Sequence, residues 1–152
     1  MNLLTVKSYI MKKILILCSF ILFSVLSFGQ TSLTVTVKNI REPKGTIRVG
    51  LYNKEEDFLK KIYQGKLVKA VGAEVTVVFD DLPPGEYAIS IVHDENENEV
   101  LDSNKLGIPK EGYCFGNNAL GKFGPPSYDK VKIKLGTVPV AQSLTMKYLG
   151  QG

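Results

Sequence analysis

Short oxygen-bearing side chains recur at alternate positions in one stretch of this chain: Asp94, Asn96 and Asn98, with Val100 and Asp102 after them. They match positions one, three, five and nine of a calcium loop, and the Val100 carbonyl falls at position seven. Hard oxygen donors in that pattern suit Ca²⁺, because the chain must wrap the ion with short side chains turned inward. Two residues oppose an EF-hand. Glu99 stands where a glycine usually makes the turn, and a left-handed conformation there costs roughly 1–2 kcal/mol. Lys105 stands where a bidentate Glu belongs, and Glu111 or Glu97 would have to be recruited instead. An Asx-rich turn, whose side chains bond its own backbone, accounts for the same residues without an ion. Both readings stay open: the sequence makes no cofactor certain, and Ca²⁺ is the ion this loop would take.

His93 immediately precedes this loop and invites a Zn²⁺ reading, since imidazole and carboxylates together hold that ion. It is the chain's single histidine, so a strand-end His bonded to a neighbouring carboxylate or carbonyl competes with it. Cys114 is the lone cysteine after residue 29. With no nearby base to activate it, it reads as a bystander thiol rather than a nucleophile. A Gly-rich phosphate loop, a nucleophile elbow and a His pair are all lacking. The chain is therefore expected to be a secreted non-enzymatic binding or structural module with no catalytic residues, the alternative being a secreted hydrolase that uses the acidic loop and His93.

A second group of residues suits binding. Tyr113, Asn117, Asn118 and Tyr128, with Phe115 and Phe123, combine aromatic faces and amides, as a glycan, peptide or protein ligand in the extracytoplasmic space would require. The competing reading is that the aromatics only anchor their own loop.

The elements that must position these residues begin after an N-terminal leader. Met11-Lys12-Lys13 supplies a positive start, Ile14 to Leu26 an apolar run, and Ser27-Phe28-Gly29 a small-residue cleavage site ahead of Gln30. Residues 1–29 thus read as a signal peptide, with Met11 a possible true start, and residues 30–152 as one exported domain of the periplasm or cell surface. The apolar run is shorter than the roughly 20 residues a bilayer span needs, so no membrane span is expected after cleavage. Cys18 lacks the small residue expected just before a lipidated cysteine, which speaks against a lipoprotein. Lys7, Lys12 and Lys13 leave with the leader, so the basic pI of about 9.0 belongs largely to that segment, and no basic footprint for nucleic acid survives. From Ala70 to Asn104 there is no Lys or Arg, while acidic residues recur from Glu74 to Asp102. That stretch carries a negative local field.

Period-two alternation marks strands at Leu33–Val37, Thr46–Tyr52, Leu67–Val71, Glu74–Phe79, Tyr87–Val92, Lys130–Leu135 and Ser143–Leu149. The first two are expected to pair as a hairpin. Lys54–Lys61 reads as one short helix with Phe58 and Leu59 turned inward, capped by Asn53 and led by Glu55, Glu56 and Asp57. The fold class is all-β, a single antiparallel sandwich of about seven strands, immunoglobulin-like or prealbumin-like. The segment from His93 to Ser127 is a long, Gly- and Pro-rich loop. Leu106, Ile108, Tyr113, Phe115, Leu120 and Phe123 are expected to order it by packing onto one end of the sandwich.

The turn Leu82-Pro83-Pro84-Gly85-Glu86-Tyr87 resembles the strand signature of prealbumin-like and carboxypeptidase-regulatory-like sandwiches. Further residues point to one family: His93-Asp94-Glu95-Asn96, Asn98, Leu101-Asp102, Asn104, Gly107-Ile108-Pro109, Glu111-Gly112-Tyr113, Phe115, Asn117-Asn118 and Phe123-Gly124-Pro125-Pro126. Together they resemble domain of unknown function family 2141, over about Leu33 to Tyr148. The resemblance implies a secreted bacterial β-sandwich and no particular activity. Glu97 and Glu99 stand where that pattern usually has glycines, and Cys114 and Gly116 where it has Gly and Ser.

Overall fold

The computed structural model describes residues 31–149 together with Lys13, so the leader read over residues 1–29 lies outside the described residues. From Thr31 onward, alternation of β-branched and polar residues builds strands. They are β1 (Thr31–Lys38), β2 (Thr46–Tyr52), β3 (Gln64–Lys69), β4 (Glu74–Leu82), β5 (Gly85–Asp94), β6 (Gly112–Phe115), β7 (Lys132–Leu135) and β8 (Val140–Thr145). One helical turn, α1 (Tyr128–Val131), and a 3₁₀ turn at Gly116–Asn118 complete the elements.

The fold is all-β, in two sheets. One has the order β4-β1-β8. The other runs β3-β2-β5-β6, and its fifth strand, β7, shares with β6 the edge of β5 that faces away from β2. Leu33, Val35 and Val37 of β1 and Phe79 of β4 meet Ile47, Ile89 and Ile91 of the second sheet in one buried core. Each such side chain contributes about 1.5–3 kcal/mol by leaving water. Tyr113 and Lys147 exchange both backbone hydrogen bonds, at 2.9 and 2.8 Å, and so tie β6 to the chain beyond β8.

Several expectations change. β1 and β2 lie in different sheets and form no hairpin; β1 pairs with β4 instead. The sheets are not wholly antiparallel, because β8 crosses from the second sheet and lies parallel to β1. No helix forms over Lys54–Lys61. Phe58 N–H bonds Glu55 O, but Leu59 takes a left-handed φ of 59°, which breaks the helical path, and its side chain turns to solvent while Phe58 turns inward. The helical turn that does form, α1, takes the beginning of the strand expected at Lys130. β6 is a further strand, inside the segment read as loop.

Candidate functional site

β5 delivers His93 and Asp94 to one end of the molecule, and β6 returns the chain directly beside them, since His93 pairs with Gly112. The intervening residues form an excursion with closed ends. A smaller turn sits within it, where Ser103 bridges Pro109 and the Asn104 side-chain oxygen accepts the Leu106 and Ile108 N–H groups.

Two buried carboxylates hold this excursion together. Asp94 is 1 % exposed; one of its oxygens accepts Asn98 N–H at 3.1 Å, the other Glu99 N–H at 2.9 Å, and the Arg48 guanidinium lies 3.6 Å away. Glu111 is likewise buried and bridges Glu95 N–H and Asp102 N–H, both at 3.0 Å. Around Asp94 the Asx pattern closes on itself. The Asn96 oxygen accepts Asn98 N–H, the Asn98 oxygen accepts Val100 N–H, and the amide groups of Asn96 and Asn98 both donate to Asp102. The five calcium-loop residues are thus neighbours, and the side-chain oxygens of Asp94, Asn96, Asn98 and Asp102 accept N–H donors of their own loop. Glu97 and Glu99 adopt φ of 60° and 66°, the conformation glycine takes most readily. Lys69 and Thr46 both donate to Glu97 and hold its carboxyl below the usual carboxylate range.

Beneath the excursion His93 is fully buried. Its Nε2 lies 2.8 Å from the Lys44 carbonyl, which can only accept, so Nε2 carries a proton. The Tyr148 hydroxyl accepts Arg41 N–H at 3.1 Å and lies within hydrogen-bond distance of His93 Nδ1, at 2.9 Å. Arg41 in turn pairs with Glu95 at 2.7 Å and stacks 4.5 Å from the centre of the Tyr148 ring. Gly112 makes room for that ring: a Cβ there would meet Tyr148 Cε1 at 2.3 Å. Burial pushes the Tyr148 hydroxyl above the usual tyrosine range. Among the described residues, no group of three or more His, Cys, Asp or Glu side chains is arranged to hold a metal ion.

The aromatic and amide residues divide. Tyr113 is half-buried against Phe115, and Tyr128 is buried against Phe58, with its hydroxyl 3.4 Å from Glu86 O. Asn117 donates to the Lys130 and Lys132 carbonyls. Asn118 serves as a strand partner for β8, donating to Ser143 O and accepting Thr145 N–H. Of the six expected apolar anchors, Phe115 is buried, Tyr113 is half-buried and Ile108 stays partly exposed at the surface. Leu106, Leu120 and Phe123 do not pack: Leu106 is 83 % exposed and Phe123 104 %. The Phe123 turn is tight, because a Cβ on Gly121 would meet the Gly124 carbonyl at 1.9 Å. Sequence reasoning missed Arg41, Lys44 and Tyr148 as the partners of His93, and no local pattern links residues so far apart. Cys114 lies buried with Sγ 3.4 Å from Met146 Sδ, and burial pushes its thiol up to about 12.

Taken together, the two sheets and the polar knot at the end of β5 define a small all-β domain that carries one internally braced excursion. The chain belongs to the family described as "Uncharacterized protein conserved in bacteria (DUF2141)", whose model matches residues 35–142. No curated protein and no solved structure matches it.

Proposed function

We propose that the chain is an exported, non-enzymatic binding module of the immunoglobulin-like or prealbumin-like sandwich type, which uses the loops between His93 and Tyr128 to contact a glycan, peptide or protein. The observation that carries this reading is Phe123, fully exposed on a tight turn, with Leu120 half-exposed three residues before it. Large apolar side chains held in water on a braced backbone lower the ordering cost of binding. Asn117, Asn118 and Tyr128 already have internal polar partners and Tyr113 packs against Phe115, so these four support the loops rather than project from them. The Asp94–Asp102 loop stands in this reading without Ca²⁺, because its oxygens are engaged by its own N–H groups. The competing hydrolase reading is opposed by His93, which is buried with both ring nitrogens bonded.

The test is a glycan and peptide array probed with the wild-type chain and with the Leu120→Ala/Phe123→Ala double variant. Loss of one buried Phe contact is worth about 2 kcal/mol, so ligands found with the wild type should bind the variant at least tenfold more weakly, with an unchanged melting temperature. Equal binding by both proteins would place the ligand surface elsewhere.

A further inference from the structure

β1 is the central strand of the three-stranded sheet, with β4 on one side and β8 on the other, and it starts without slack. Thr31, its first residue, is 6 % exposed, and Leu33 is fully buried. The beginning of the strand is also its most weakly held part. β8 pairs with β1 only from Leu33 onward. The pairing with β4 slips there: Thr31 faces Leu82 and Leu33 faces Phe79, so Asp80 and Asp81 together oppose the single residue Ser32. This bulge, with Asp81 at a left-handed φ of 57°, leaves a mouth lined by Thr31, Ser32, Asp80, Asp81, Thr137 and Pro139. The cut read ahead of Gln30 falls one residue before Thr31. An exported chain cut there keeps a single residue in front of its central strand, and that residue is a glutamine.

We propose that Gln30 becomes the amino terminus of the exported chain and closes on itself to pyroglutamate, an inference that rests on the export reading and adds a covalent modification to it. The chemistry needs only the residue itself. The neutral α-amine attacks Cδ of its own side-chain amide, so that the N–Cδ bond forms and the Cδ–Nε2 bond breaks. A proton passes from the α-nitrogen to the departing nitrogen, which leaves as ammonia, and a five-membered lactam remains. No oxidant, reductant or co-reactant enters. An α-amino group titrates at about 7.7–8.0, so part of it is neutral and nucleophilic at neutral pH. Like acetylation of an amino terminus, the closure removes the terminal charge. The fold gives the modification a consequence. Chain ends are where proteolysis concentrates unless they are tied down, and an aminopeptidase needs a free α-amine. Successive loss of Gln30, Thr31, Ser32 and Leu33 would remove a buried core side chain and the first pairings of β1 with β4 and β8. The lactam closes that route.

The experiment is to export the full chain with its own leader from a bacterial host, incubate the product at neutral pH, and determine its intact mass and its amino-terminal sequence by Edman degradation. The expected product starts at Gln30, has lost one ammonia and gives no Edman sequence. Gln30→Asn keeps a side-chain amide but is one methylene too short for the five-membered ring, so it should keep its full mass and give a readable sequence. A broad-specificity aminopeptidase should then leave the wild type intact and shorten the variant into β1, with a loss of melting temperature. A wild-type chain that starts at Gln30 with a free amine overturns the modification and leaves the leader reading standing. A chain that starts elsewhere, or keeps residues 1–29, overturns both. Equal resistance of the wild type and Gln30→Asn to the aminopeptidase overturns the protective role.

Discussion

Two acidic regions of this chain, at opposite ends of β5, use carboxylates in opposite ways. At the excursion after Asp94, buried acids act as internal ligands for backbone N–H groups, and Asn96 and Asn98 donate to Asp102 within the loop. At the bulge, Asp80 and Asp81 line an open mouth with no hydrogen-bond or ion-pair partner among the described residues. Both regions hold non-glycine residues at positive φ: Glu97 and Glu99 in the first, Asp81 in the second. Strain of this kind persists only where surrounding structure over-determines it. The loop supplies that structure from its own hydrogen bonds, the bulge from the register of two strands. Negative charge in a sequence therefore carries no single meaning. What separates a brace from an open surface is whether the oxygens are already occupied.

The largest effect expected from this contrast is that of Asp94→Ala. The substitution leaves Glu99 N–H without its acceptor, Asn98 N–H with the Asn96 oxygen alone, and Arg48 without its counter-charge. Losing these bonds to a buried carboxylate costs about 3 kcal/mol, read as a lower urea midpoint at an unchanged m-value. Asp94→Asn, which keeps one acceptor oxygen, should lose less. A drop below about 1 kcal/mol for Asp94→Ala, the size of an ordinary single hydrogen bond, would mean that the excursion is not braced from Asp94.

A smaller effect of opposite sign is expected at Glu99. Its side chain is exposed and its backbone is left-handed. Glu99→Gly removes about 1–2 kcal/mol of steric strain and adds back roughly 0.5–1 kcal/mol of backbone entropy lost on folding. The net result is a gain of about 0.5–1 kcal/mol, seen as a modest rise in melting temperature. A fall would show that Glu99 contributes through a contact absent from its surroundings here.

How much of this was legible beforehand depends on the range over which each feature is encoded. β2 runs over the residues its alternation marks, Thr46–Tyr52, and β4 and β5 extend by only a few residues beyond theirs, because period-two burial is written locally. β6 escaped because Gly112–Phe115 is four residues long, opens on a glycine and is a strand only by pairing with β5. The helix expected at Lys54–Lys61 had good local signals. They yielded to the packing of Phe58 against Tyr52, Phe115 and Tyr128, which no local window contains. At the candidate site, the Asx self-bonding of Asp94 to Asp102 was readable from spacing. The partners of His93 were not, since Lys44 and Tyr148 reach it through tertiary contacts. The mouth at Asp80 and Asp81 was equally hidden, because it exists only through the slip between β1 and β4.

The smallest expected effect is also the sharpest discriminator between the two acidic regions. Asp80 is exposed, its carboxylate has no partner among the described residues, and its neighbour Asp81 carries the same charge. Asp80→Ala therefore removes a repulsion and breaks no bond, and its stability should stay within about 0.5 kcal/mol of the wild type, as for surface substitutions in general. The measurement is the urea midpoint, beside that of Asp94→Ala. A loss at Asp80 comparable to that at Asp94 would mean that the bulge carboxylate braces the fold as Asp94 does, and the distinction between an internal ligand and an open mouth would collapse. Equality with the wild type leaves that carboxylate without a role in stability, as a group that faces solvent requires.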